Sequence, residues 1–236
     1  MTLADRLSLL TMFDATAVAL FILTWNLIGW RIEHPAEQRP SVTALMSDYR
    51  RDWMKAFVTR EPRIFDAQIL ASLRQGTAFF ASSSLIGLGG LLALAGNTAP
   101  LQGVAMELAE GEFPALIWQL KLGLVGLCLT NAFLKFVWSN RLFGYCAVVM
   151  SAVPNEANDP TAQPRAAQAA ELNIRAALNF NRGLRSIYFA LASLAWLVGP
   201  VPLLVGTAVT IWLLWSREFA SIPRAILLGE HMPTKR

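Results

Sequence analysis

Charge is what this sequence has least of, and the stretches that lack it are long. Charged residues make up 15% of the chain, against about 25% in soluble domains. Residues 75–106 and 186–216 contain none at all. A helix needs about 20 apolar residues to cross a hydrocarbon layer of about 30 Å, so both runs are long enough. A water-soluble core would not segregate its charge into separate segments in this way. The pattern predicts an all-α fold, a polytopic transmembrane helix bundle of four or five apolar spans with helical cytoplasmic extensions. Residues 1–236 then form a single membrane domain whose first partner is the lipid bilayer.

Cysteine and histidine are nearly absent too. Cys128 and Cys146 have no CxxC spacing, so neither a zinc site nor a disulfide framework is supported. The two histidines, His34 and His231, fall in loops and argue against an intramembrane bis-histidine haem. No cofactor or metal is predicted. There is no HExxH, GxSxG, Walker A or GxGxxG motif, so no catalytic residue is assigned and the reading leans away from an enzyme. The net charge of +4 and pI of about 9.4 would suit nucleic acid, but the basic residues flank apolar spans, as membrane topology requires. No nucleic-acid partner is expected. The first residues lack a basic n-region and no cleavage site follows, which predicts a retained signal anchor.

What is present divides into segments. The first apolar run extends from about Leu7 to Trp30 and carries Asp14. The second, about Gln75 to Ala95, is rich in small residues, among them Ser82, Ser83, Ser84, Gly87, Gly89 and Gly90. Those glycines suit close helix packing. The third opens after Pro114, runs to Trp138 and continues as a polar-edged helix to about Met150. The last, Ser186 to Ser216, has 31 residues and is interrupted by Gly199-Pro200-Val201-Pro202. Proline breaks or kinks a helix there, and the charge of the tail favours a hairpin over a single kinked span.

Loop charge sets the expected orientation. Residues 31–74 hold eight Lys/Arg and residues 139–185 five Arg, while 96–113 hold three Glu and no Lys or Arg. By the positive-inside rule the first two loops are cytoplasmic and the third external, with the N-terminus outside and the protein in the cell (inner) membrane. Within the 31–74 loop, Ser41 to Thr59 aligns Val42, Leu45, Met46, Tyr49, Trp53 and Phe57 on one helical face. That face suits either the membrane interface or packing on the protein itself. Pro62 can open a further helix leading through Asp66 into the second span. Within 139–185, the Pro-rich residues 153–165 read as a linker and 166–181 as an Ala-rich helix.

Several stretches resemble a known family: Phe65-Asp66-Ala67-Gln68-Ile69-Leu70, Phe79-Phe80-Ala81-Ser82, Lys135-Phe136-Val137-Trp138-Ser139-Asn140-Arg141, Phe180-Asn181-Arg182-Gly183-Leu184-Arg185 and Arg217-Glu218-Phe219. The family is domain-of-unknown-function family 599, membrane proteins of bacteria and plants. The resemblance implies a helical integral membrane protein and supplies no catalytic residues, substrate or cofactor.

Ionisable residues inside a membrane are costly and draw attention. Asp14 and Lys121 each lie seven residues into their spans, which predicts matched depth and an ion pair, either structural or linked to ion or proton movement. Asp66, Arg141, Asn181, Arg185 and Glu218 form a candidate cytoplasmic polar cluster. Three functional readings remain open: a homo-oligomeric channel or transporter-like protein, an accessory or scaffolding subunit of a larger membrane complex, and a membrane enzyme acting on lipid-linked substrates. A lipid-sized cleft converging on Arg141, Arg185 and Glu218 would favour the last.

Overall fold

A computed structural model gives the fold and describes residues 10–98 and 114–230. Among those residues every regular element is helical: α1 (Met12–Glu33), α2 (Val42–Thr59), α3 (Ile64–Gly96), α4 (Ala115–Ser151), α5 (Ala162–Leu194), a short 3₁₀ turn (Ala195–Leu197), α6 (Pro200–Phe219) and α7 (Ile222–Leu227). The all-helical class read from the sequence holds. Helices α1, α3 and α4, and the segment Pro200–Leu227, are long and apolar enough to cross a membrane. Their outward faces are apolar, with Leu23, Leu27, Ile86, Leu92, Leu127 and Trp212 all exposed. Most of the loop expected outside, together with His231, Lys235 and Arg236, lies beyond the described residues.

The chain divides into two compact units, residues 1–31, 83–132 and 184–216 in the first and 32–82, 133–183 and 217–236 in the second. In the first unit, Phe21, Trp25 and Phe189 form an aromatic cluster with centroids 5.3 and 5.8 Å apart. A Cβ on Gly126 would lie 3.0 Å from Leu91 Cδ2, and one on Gly206 would lie 3.3 Å from the Ala192 carbonyl. The second contact decides the path of residues 186–216. In one continuous helix, residues 14 apart are about 21 Å apart. Here they touch, so the chain reverses at Val198–Gly199 and Pro200 opens α6, where its missing N–H costs nothing.

The second unit has a core built from four helices. Met54, Phe57 and Val58 of α2 pack with Leu70 of α3, Leu142, Phe143 and Cys146 of α4, and Ala162, Ala166, Ala169, Ala170 and Ala176 of α5. The alanines recur on one helical face, and their small size brings α5 close enough for Ser139 to donate to the Ala176 carbonyl at 2.7 Å. Phe136 stacks on Phe80 at 5.5 Å and meets Phe180 at 5.5 Å. Helix α2 is thus packed on the protein. Its buried face carries Thr43, Met54, Phe57 and Val58, whereas Met46 and Tyr49 of the expected apolar stripe are 38% and 51% exposed. The stripe is rotated because the helix docks partly through polar groups.

Candidate functional site

Helix α2 starts at Ser41, whose hydroxyl accepts from the Ala44 N–H at 3.1 Å and donates to the Ile32 carbonyl at 2.8 Å. A second cap comes from far along the chain. The Glu218 carboxylate accepts from the Thr43 N–H and hydroxyl, both at 2.9 Å. An anion at a helix N-terminus satisfies donors that lack intrahelical partners and meets the positive end of the dipole. Asn181 adds a longer contact, its Nδ2 donating to Thr43 Oγ1 at 3.4 Å.

This junction forms one wall of a cavity of about 390 Å³. Val42, Thr43, Met46, Ser47 and Arg50 line it from α2, Ser72, Leu73, Gly76 and Thr77 from α3, and Phe143 from α4. Ile174, Ala177, Leu178, Phe180 and Asn181 of α5 and Glu218 of α6 complete the lining. Of these, only Arg50 and Glu218 are ionisable. Arg50 donates to the Oδ1 of Asn173, which is fully buried and turns its Nδ2 toward Cys146 Sγ at 3.7 Å. Burial lowers the Arg50 guanidinium below its ordinary value, yet a guanidinium stays charged at neutral pH.

Of the five residues of the expected polar cluster, Asn181 and Glu218 come together here. Asp66 does not line the cavity. It is buried against Trp53 Nε1 at 2.6 Å and pairs with Arg60, while its Oδ2 has no hydrogen-bond partner among the described residues. Arg141 bonds Tyr145 on the surface. Arg185 is buried in the first unit, with its Nε 3.7 Å from where a Gly29 Cβ would be.

A family model described as "Protein of unknown function, DUF599" matches residues 16–223. The chain belongs to that family. No curated protein and no solved structure matches it. Within this DUF599 chain, the stretches singled out by resemblance build much of the second unit. Phe80, Phe136 and Phe180 form the ring cluster, Gly183 abuts Phe136, and Asn181 and Glu218 line the cavity.

The intramembrane candidates have partners that spacing did not reveal. Helix α1 begins at Met12, so Asp14 sits in its first turn and not seven residues deep. Its Oδ2 accepts from the Thr11 N–H at 3.1 Å and the Thr11 hydroxyl at 2.8 Å, and the Asp14 N–H donates back to Thr11 Oγ1 at 3.1 Å. That is a reciprocal capping box, legible in Thr11-Met12-Phe13-Asp14 and missed. The other oxygen accepts from Trp196 Nε1 at 2.9 Å. Lys121 is buried, points toward the Leu197 carbonyl at 3.5 Å and interacts electrostatically with Asp14. Of the three candidate packing glycines, a Cβ on Gly87 would lie 3.6 Å from Leu129, whereas Gly89 and Gly90 face open space.

Proposed function

We propose that this DUF599 protein is a transporter-like membrane protein that binds a small solute in the cavity of its second unit, with that unit on the cytoplasmic side. One observation carries the reading. A cavity of about 390 Å³ falls within the range of small-molecule sites, about 300–1,000 Å³, and it combines an apolar wall with a few convergent polar groups. The orientation rests on the Lys/Arg concentrated in residues 31–74 and 139–185.

Gly76 supplies a clean test. It lines the cavity and a Cβ there meets nothing within 4 Å, so Gly76→Phe adds bulk at the cavity wall without a backbone clash at Cβ. Detergent-solubilised wild type is screened by thermal shift against amino acids, sugars, organic anions and organic cations. The expected result is stabilisation by at least one class that disappears in Gly76→Phe. No stabilisation, or stabilisation that persists in the variant, overturns the reading. A second reading, an accessory subunit of a larger complex, is favoured by Tyr49, exposed on α2 outside the cavity. Mass analysis of the particle purified in mild detergent separates the two, since a partner protein would co-purify.

A further inference from the structure

The cavity holds one cation and one anion, and they are not equivalent. Both carboxylate oxygens of Glu218 are occupied by Thr43, one by its N–H and one by its hydroxyl. The negative charge therefore faces the positive end of the α2 dipole. Arg50 has no such counterpart. Its bonded partner is the neutral amide of Asn173, and among the described residues no carboxylate pairs with it. A partly desolvated guanidinium with five donors and one neutral acceptor leaves donor capacity directed at whatever enters. Ser47 and Thr77 add hydroxyls to the lining, although these already donate to the carbonyls of Thr43 at 3.0 Å and Leu73 at 2.7 Å. They remain acceptors-in-waiting for a protonated or hydrated head and leave Arg50 as the one charged donor. Ser72 and Asn181 complete the polar part of the lining, and the apolar wall is Met46, Leu73, Phe143, Ile174, Leu178 and Phe180.

Resting on the solute-binding reading above, we infer that the cavity takes an anionic amphiphile, with a carboxylate or phosphate head at Arg50 and an alkyl tail along the apolar wall. The planar fork of arginine matches the two oxygens of such a head. The tail removes apolar wall from water, which adds binding energy with no demand on direction. The head group has two sources, a free amphiphilic anion or an acidic membrane lipid.

The test uses the full-length protein in nanodiscs of zwitterionic phosphatidylcholine, titrated with decanoate, with decyltrimethylammonium and with inorganic phosphate. Decanoate should bind at a single site, the cation should not compete for it, and phosphate alone should bind far more weakly. Arg50→Gln should weaken decanoate by about tenfold to a hundredfold, the range expected for one charge-assisted hydrogen bond. Arg50→Lys should fall between. Replacing part of the bilayer with phosphatidylglycerol separates the sources: competition with decanoate assigns the site to lipid, and its absence assigns it to a free anion. Decanoate binding that Arg50→Gln and Arg50→Lys leave unchanged overturns the inference, as does equal binding of the cation. If Arg50→Gln fails to fold, Arg50→Lys and the wild-type comparison of the two amphiphiles still decide. Gly76→Phe separates the two levels. A cationic or neutral ligand that Gly76→Phe abolishes sinks the anion and keeps the solute site, whereas insensitivity of every ligand to Gly76→Phe sinks both.

Discussion

Replacing Gly183 with alanine should destabilise the protein, although alanine is the better helix former. In an exposed helix the change is worth about 1 kcal/mol of stabilisation. Here the new Cβ would lie 2.7 to 2.9 Å from three ring carbons of Phe136, closer than carbon atoms approach. The ring is fully buried and held by Phe80 and Phe180, so it has no free direction in which to move. Overpacking a close-packed core costs about 1–3 kcal/mol, and disturbing an aromatic pair adds about 0.5–1.5 kcal/mol. After subtracting the propensity gain, the net loss is about 1–3 kcal/mol, a fall in apparent Tm of roughly 2 to 12 °C for a chain of this size. Thermal denaturation in detergent, followed by Trp fluorescence, reads it. The double variant Gly183→Ala with Phe136→Leu should lose less than the sum of the singles, because leucine lacks the outer ring atoms. A Gly183→Ala protein as stable as wild type, or additive losses in the double variant, would refute the reasoning.

Trp196→Phe should cost about 1–3 kcal/mol by stranding Asp14 Oδ1, measured by the same melt. In double-mutant cycles, the Asp14–Trp196 coupling should exceed the Asp14–Lys121 coupling. The reverse order would restore the ion pair as the main contact. Glu218→Ala should speed amide exchange at Thr43 and destabilise by about 1 kcal/mol, the usual worth of a helix cap, while unchanged exchange would show that α2 caps itself. A reporter fused after Arg236 should read cytoplasmic and one at Met1 external, and the opposite pattern would invert the proposed orientation.

How much of this was legible depended on how local each cause was. Pro200 acts through its own missing N–H, so the reversal in residues 186–216 could be anticipated from Gly199-Pro200. The Ala-rich face of α5 was equally plain. The start of α1 was also local, written in Thr11 and Asp14, but hydropathy alone obscured it and displaced Asp14 by five residues of depth. The docking face of α2 could not be read in the same way. Thr43 is buried where Glu218 meets it, and Arg50 is half-buried beside Asn173, and neither partner is marked by spacing. The cavity follows from that same docking, so its residues appeared in the sequence only as scattered polar positions: the fold brings Asn181 and Glu218 together there and places Asp66, Arg141 and Arg185 elsewhere.

The contact between Thr43 and Glu218 also bears on the order of assembly. The two residues are 175 positions apart, and at roughly 5–20 residues per second a ribosome needs about 9 to 35 seconds to travel from one to the other. Throughout that interval the first turn of α2 lacks its distant carboxylate and has only the local cap of Ser41 to draw on. Helix α6 fastens a helix made long before it, and a chain that stops short of residue 218 cannot make that contact. A contact between such distant stretches of sequence thus dates itself, since it forms only after residue 218 has been made.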